Sequence, residues 1–291
     1  MSALSEIKWT WIRELRRNLR SAKGIAMAVL FLLGGGAASV IYAAISEFAL
    51  QGESIPVEAI RAQREKVWAN VYGDLGVGKY LADAPFFFVG LFKALWWLIP
   101  FLTLLIGFEQ VCADLQHRTI RYDCVRARRW SLVVGKSLAV WTIVSLLLLA
   151  LNLFVWSVTV LRGDDSLAVV LNWGGRLWLL TVVYAAAWSG LTVLASSLTR
   201  RPILSLFVGL VIFAGLALGD LSTWAIHEAA ARDSSMWIAK FAPARYAFPG
   251  FYQLWVVTPR APEMIGGIVI LLAFGAASTA AACWLVNRSD V

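Results

Sequence analysis

The stretch LAVWTIVSLLLLALNLFVWSVTVL, from Leu138 to Leu161, holds 24 residues without a formal charge. A hydrocarbon core of about 30 Å is crossed by roughly 20 helical residues. Backbone in lipid must satisfy its own hydrogen bonds, so this stretch predicts a membrane-spanning α-helix. The whole chain agrees, with 60% hydrophobic and 15% charged residues and a mean hydropathy of +0.71. Soluble domains have about 25% charged residues, so the composition indicates an integral membrane protein.

Five further apolar runs have the length of a span, which predicts an all-α protein with six transmembrane helices. The second run contains one charge, Lys93. The fifth follows Arg200-Arg201-Pro202 and could extend beyond Asp220 towards Ile226. The predicted spans are Ile25 to Ser46, Phe86 to Phe108, Leu138 to Leu161, Leu177 to Thr199, Ile203 to Gly219 and Met264 to Asn287.

The basic residues predict an orientation with both termini in the cytoplasm. The segments that this orientation places inside hold 15 of the 26 Lys and Arg and 6 of the 18 Asp and Glu, a net charge of +9, whereas the outer segments carry −2. Basic residues close to span ends are retained in the cytoplasm, so we expect a multi-pass protein of the plasma (inner) membrane. A signal sequence is the alternative for the first run, but that run exceeds the usual apolar core of about 7–15 residues.

The stretch GDLGVGKY, Gly73 to Tyr80, has the spacing of a phosphate-binding loop. Such a loop needs a buried strand before it and a Ser or Thr after its Lys, and Tyr80 stands at that position. The stretch also lies in the predicted first outer loop, residues 47–85, after a predicted helix from Glu58 to Tyr72. We therefore interpret it as a helix-ending turn and expect no ATP hydrolysis in this chain.

Residues 1–24 predict an amphipathic helix in the inner membrane interface. Its apolar residues recur at spacings of three and four, whereas its Lys and Arg lie mainly around the other face, near anionic lipid. Membrane lipid is therefore an expected partner. An anchor alone and an anchor that also contacts a partner protein are both consistent with this pattern. The apolar residues are Leu4, Ile7, Trp11, Leu15 and Leu19.

Residues 109–137, between the second and third spans, mix acids, aromatics and basic residues in a way that resembles the ABC-2 type permeases of ATP-binding-cassette transporters. That family carries here an acidic residue, Thr-Leu or Thr-Ile, an aromatic, a basic-proline turn, a further Arg and Gly-Lys. This chain departs from the pattern at Ala127, which replaces the usual Pro. The matching residues are Glu109, Asp114, Thr119, Ile120, Tyr122, Arg126, Arg129, Gly135 and Lys136.

The resemblance implies a function and a set of partners. The 109–137 loop would form a coupling helix against a separate ABC ATP-binding subunit, which would bind the ATP and Mg²⁺; this chain itself would carry no cofactor. Two permease copies, or this chain and a paralogue, would form the substrate pathway, with export as the family's usual direction. The outer segment 220–263 would fold partly back into the membrane as a re-entrant gate. Its chain-breaking residues are Pro243, Pro249 and Gly250.

Several single residues have two interpretations. Lys93, about 10 Å inside the second span at 1.5 Å per residue, could line the substrate pathway or extend its side chain to the outer interface. Asn152 could bond between helices or contact substrate. The Trp residues, including Trp96 and Trp97, are typical of interface belts. His117 and His227 have no ligand partners at metal-binding spacing, so we expect no metal site.

Other functions are less well supported. A secondary transporter would show internal repeats and ionisable relays within its spans, and an enzyme would need clustered catalytic groups. Neither pattern is clear, and no nucleic-acid partner is expected. A scaffold protein leaves no chemical signature, so a secondary transporter or a non-catalytic membrane scaffold stays the alternative. The residues therefore favour a permease that is not itself an enzyme.

Overall fold

The computed structural model describes residues 2–50, 57–125, 127–163, 165–232 and 237–288, which form twelve α-helices and one 3-10 helix. The α-helices are α1 Ala3–Arg20, α2 Ala22–Leu50, α3 Val57–Tyr72, α4 Leu75–Ala82, α5 Phe86–Gly107, α6 Cys112–Gln116, α7 Ile120–Cys124, α8 Arg129–Arg162, α9 Leu167–Ser197, α10 Pro202–Arg232, α11 Tyr252–Val257 and α12 Ala261–Arg288, and the 3-10 helix is Trp237–Ala247.

The six predicted spans are confirmed in number and order as α2, α5, α8, α9, α10 and α12, each long and apolar enough to cross a membrane. Three helices extend well beyond the predicted spans, and one of them, α8, begins at Arg129, nine residues before the predicted start at Leu138. Helix α9 begins at Leu167, ten residues before the predicted start at Leu177, and α10 continues past Asp220 as the sequence allowed. Pro202 opens α10, where a missing backbone N–H costs nothing.

Helix α9 forms the centre of the bundle and packs against α5, α8, α10 and α12. Gly190 lets α12 approach closely, since a Cβ there would lie 2.3 Å from the carbonyl oxygen of Gly275. Trp96 of α5 stacks on Tyr184 of α9 with ring centroids 3.6 Å apart, and Trp96 is 3% exposed. The prediction that Trp96 belongs to an interface belt is therefore wrong, because the side chain is buried between two helices.

Helices α2 and α10 lie at the edge of the bundle. Only 17% of the most apolar window of each is buried, compared with 67% for α9. The small residues of α2 allow contact with α8, where Gly35 faces Leu151 and Phe154. Gly34 beside it faces open space, so this small face is only partly occupied within the chain.

The stretch from Gly73 to Tyr80 is only in part the predicted helix-ending turn: Gly73 and Asp74 form the turn, and Leu75 to Tyr80 belong to α4. Gly73 ends α3 with a φ of 70°, in the left-handed region. Asp74 then caps α4 by accepting hydrogen bonds from the backbone N–H groups of Gly76 and Val77. Gly78 packs against Ala69 of α3, where a Cβ would approach within 2.8 Å. The glycines of this stretch thus build a tight helical hairpin.

Candidate coupling site

The loop between α5 and α8 contains two short helices, α6 and α7, instead of one continuous helix. They are separated by Arg118, whose φ of 56° lies in the left-handed region, where a residue with a Cβ costs about 1–2 kcal/mol. Helix α6 turns Asp114 and Leu115 inward. Helix α7 begins at Ile120 and leads away from this buried part.

Helix α1 turns a polar stripe towards the protein. It packs against α8, and its apolar Leu4 and Leu19 are exposed. Leu4 and Leu19 are thus free to meet lipid, as an interfacial helix requires, whereas Trp11 donates a hydrogen bond to a hydroxyl of α8 and Leu15 packs against the core. The basic side chains expected to lie near anionic lipid are mostly exposed, and the separate polar stripe, between them and the apolar face, contacts α8 and the 109–137 loop. The buried residues of the stripe are Glu6, Thr10, Glu14 and Asn18, each four positions from the next.

Lys136 lies at the centre of a buried ionic cluster that joins α1, α6 and α8. Its Nζ lies 2.6 Å from Oδ2 of Asp114 and 3.3 Å from Oε1 of Glu14, and it donates a 2.6 Å hydrogen bond to the carbonyl oxygen of Gln110. Lys136 is 2% exposed and Glu14 is fully buried. Charges this deep are stable only when they are paired and hydrogen-bonded. The cluster therefore holds the loop against α1.

Two further ion pairs surround this cluster. Both terminal nitrogens of the Arg13 guanidinium donate to the carboxylate of Asp123 in α7, at 2.6 and 2.7 Å. This bond raises the pKa of Arg13 above its ordinary value, although burial acts in the opposite direction. Lys23, in the first turn of α2, lies 2.7 Å from Glu109 at the start of the loop. Helix α1 is thus tied to α7, and the start of α2 is tied to the start of the loop.

The start of α8 is also held by α1. Arg128 is its N-cap but makes no side-chain capping bond, and Oε2 of Glu6 accepts a 3.1 Å hydrogen bond from the backbone N–H of Arg128. That bond lowers the pKa of Glu6, since a carboxylate is favoured where backbone N–H groups converge. Nearby, a Cβ on Gly135 would lie 2.7 Å from Cβ of Thr10. Gly135 therefore permits α1 and α8 to touch.

Other predicted coupling residues face outwards or towards the C-terminus. Tyr122 is 77% exposed and Val125 is 84% exposed, and their spacing of three places them on one side of α7. Thr119 is exposed, while its hydroxyl donates a 3.2 Å bond to Asp114. Arg129 donates to the backbone carbonyls at the end of α12. Arg126 lies outside the described residues.

The two candidate polar residues inside the spans both have protein partners. Nζ of Lys93 donates a 2.6 Å hydrogen bond to Oε1 of Gln253 in α11 and lies 4.8 Å from the ring centroid of Tyr72. Lys93 therefore links α5 to the outer segment. Asn152 is buried and donates to the carbonyl oxygen of Leu148 in its own helix.

The outer segment is broken into two short helices at its Pro and Gly residues. Pro243 lies within the 3-10 helix, and Pro249 and Gly250 form the turn before α11. Gly250 lies directly against Asp220 of α10, where a Cβ would approach Oδ2 within 2.3 Å. Asp220 also interacts electrostatically with Lys93. Gly250 thus lies beside Asp220, one of the interacting charges of α5 and α10.

The sequence reasoning did not identify the buried side chains of α1. Glu14 and Asn18 are buried; Glu14 pairs with Lys136, and Asn18 accepts a 3.1 Å hydrogen bond from Gln110. A signal was present, because a polar residue recurs at every fourth position from Glu6 to Asn18. That period marks one continuous face of a helix, and a face of this kind can pack on protein.

Comparison with known proteins agrees with this architecture. No curated protein matches the chain in sequence. The family profile described as ABC-2 family transporter protein matches residues 9–291, a range that includes α1 from Trp9 onward, all six spans and the 109–137 loop. Proteins of this family are membrane components of transporters and generally work with an ABC ATP-binding subunit. The chain therefore belongs to the ABC-2 family of transporter proteins.

Proposed function

We propose that this chain is the permease subunit of an ABC exporter in the plasma membrane. Two permeases, identical or paralogous, form the substrate pathway between them, and a separate subunit binds ATP and Mg²⁺ and drives the transport. The observation that carries this proposal is the construction of the 109–137 loop. One part of the loop is fixed by buried charge to α1 and α8, and another part presents exposed apolar side chains.

A lever between a partner subunit and the membrane must be stiff where it meets the spans. The ionic cluster of Lys136, Asp114 and Glu14 supports this requirement, since its members come from three different helices. Asp114 and Lys136 are buried, so in this proposal they position the loop and do not touch the partner. Glu109 and Arg129 would likewise position it through Lys23 and the end of α12.

The contact itself would come from α7 and the residues beside it. Tyr122 and Val125 form an exposed apolar pair surrounded by charged residues. Aromatic side chains that fill a partner's groove are typical anchors of protein interfaces. An ATP-binding subunit that accepted Tyr122 would move α7 when it closes, and the pair between Asp123 and Arg13 would pass that movement to α1.

The experiment is co-purification of the chain with its candidate ATP-binding subunit after detergent extraction. We expect Tyr122→Ala to weaken the complex by about 2 kcal/mol, or roughly thirtyfold, while the thermal stability of the permease stays unchanged. The matched control is Leu75→Ala, because Leu75 is 74% exposed at the outer hairpin, and this variant should bind like the wild type.

Three outcomes would contradict the proposal. Equal recovery of the ATP-binding subunit with the wild type and with a Tyr122→Ala/Val125→Ala double variant would remove α7 from the contact. No recovery with the wild type, together with transport that continues without ATP, would favour a secondary transporter. Absence of both binding and transport would favour a scaffold.

A further inference from the structure

Helices α8 and α12 leave an apolar groove between them that opens on the outside of the bundle. Its volume is about 520 Å³, within the range of about 300–1,000 Å³ common for small-molecule sites. Helix α9 contributes Ala186 to its floor. Among the residues along its walls are Trp130, Val134 and Trp141 from α8 and Ala276, Ala280 and Cys283 from α12.

The groove follows from how α12 is packed. Gly275 allows α12 to pack closely on α9, since a Cβ there would lie 2.6 Å from the carbonyl oxygen of Ala186. The face that α12 then turns to α8 carries small side chains, so the two helices do not fill the space between them. Contact between them is kept by a 3.1 Å bond between the hydroxyls of Ser137 and Thr279 and by Arg129 at the helix ends.

The length of the groove corresponds to one membrane leaflet. From Trp130 to Trp141 the helix rises about 16 Å at 1.5 Å per residue, and half of the hydrocarbon core is about 15 Å. The groove begins where α8 starts and α12 finishes, with Trp130 one residue after the start of α8 and Cys283 five residues before the end of α12.

The width of the groove distinguishes between two candidate occupants. A volume of about 520 Å³ spread over about 16 Å gives a mean cross-section of roughly 33 Å². An α-helix with side chains is about 10 Å in diameter or more, which corresponds to nearly 80 Å². A transmembrane helix of a second copy is therefore too wide to lie inside this groove and would only cover it with side chains, whereas a single hydrocarbon chain is narrow enough to enter.

The charge at the mouth indicates the headgroup. Arg128, the N-cap of α8, and Arg288, the last residue of α12, are both exposed at this end. The guanidinium of Arg288 lies 4.0 Å from the ring centroid of Trp284, next in sequence to Cys283 of the groove wall. Basic side chains at a membrane surface attract anionic lipid.

We propose that the α8/α12 groove binds one acyl chain of an anionic phospholipid, with the headgroup phosphate held by Arg128 and Arg288. This lipid site is separate from the coupling loop, and it does not depend on the transported substrate. It would make the lateral packing of α12 sensitive to the lipid composition of the leaflet in which α8 begins.

The test uses the full-length protein in nanodiscs of phosphatidylcholine and phosphatidylglycerol, with a phosphatidylglycerol probe that carries a photoreactive group on one acyl chain. Cross-links in the wild type should concentrate on the groove segments of α8 and α12. Ala280→Trp fills the groove and should reduce these cross-links about tenfold, as expected from the cost of overpacking. Ala277→Trp is the matched control, because Ala277 is exposed on the same helix but does not line the groove.

A second variant tests the headgroup. Arg288→Gln should lower the preference for phosphatidylglycerol over phosphatidylcholine about fivefold. Equal cross-linking of the Ala280→Trp and Ala277→Trp variants, or cross-links spread evenly over lipid-facing helices such as α2, would overturn the proposal. A change in the oligomeric mass of the Ala280→Trp variant without a change in bound lipid would also overturn it, in favour of a second copy over the groove.

Discussion

Lys136 and Tyr122 belong to the same loop, fourteen residues apart, and the protein uses them in opposite ways. Lys136 is 2% exposed and is held by two carboxylates and a carbonyl, whereas Tyr122 is 77% exposed. One family-like stretch therefore contains both an anchor and a candidate contact surface. Residues of the anchor should affect stability first, and residues of the surface should affect binding first.

The largest expected effect comes from breaking the anchor. Lys136→Met leaves Glu14 paired with two arginines of α1. It leaves Asp114 with Arg17 at 3.9 Å in place of Lys136 at 2.6 Å, and removal of one member of a buried ion pair typically costs about 3–5 kcal/mol. We expect a marked fall in the melting temperature of the purified protein and in the yield of inserted protein. Arg16→Gln on the exposed face of α1 is the control and should change stability by less than about 0.5 kcal/mol.

A double variant tests whether the buried charges depend on one another. If the buried charges are coupled, Asp114→Leu added to Lys136→Met should restore part of the lost stability, because it removes the carboxylate that lost its 2.6 Å partner and lies 3.9 Å from Arg17. A loss of stability in the double variant equal to the sum of the losses in the two single variants would show that the charges act independently and that the cluster is not the anchor.

The next effect comes from separating α1 from α8 without changing any charge. Gly135→Ala places a Cβ 2.7 Å from Cβ of Thr10, and overpacking of this kind costs about 1–3 kcal/mol. Gly175→Ala in α9 is the control, because its Cβ would meet open space and alanine favours helix by up to about 1 kcal/mol. Thermal unfolding should therefore move in opposite directions in the two variants. A Gly135→Ala protein as stable as the wild type would show that α1 is not held tightly on α8.

The number and order of the spans could be predicted because apolar length is a local property of the sequence. The direction in which a polar side chain points is not local. Asp114 and Tyr122 both match the family's motif, yet only contact with α1 decides which of them is buried. Trp96 was misassigned for the same reason, since stacking on Tyr184 depends on the position of α9.

The start of α9 shows a different limit. Its first ten residues contain Gly174, Gly175 and Arg176. These residues interrupt the apolar pattern, so the sequence placed the start of the span after them. In the structure the guanidinium of Arg176 donates to the hydroxyl of Tyr80 and lies over its ring. The hairpin of α3 and α4 thus supplies the hydrogen-bond partner that lets α9 include Arg176.

The smallest expected effect concerns Glu6 and appears only in acid. Its carboxylate accepts from the backbone N–H of Arg128, which lowers the pKa of Glu6 below its ordinary value of 4.5. A group whose pKa is lower in the folded state stabilises the protein above its unfolded-state pKa, and this contribution is lost as the pH falls through the folded-state value. Glu6→Gln should therefore melt below the wild type at pH 7, and the difference should shrink as the pH falls below about 4.5. A difference that stays constant over this range would mean that the charge of Glu6 does not hold the start of α8, and that α1 is fixed there by Lys136 and close packing alone.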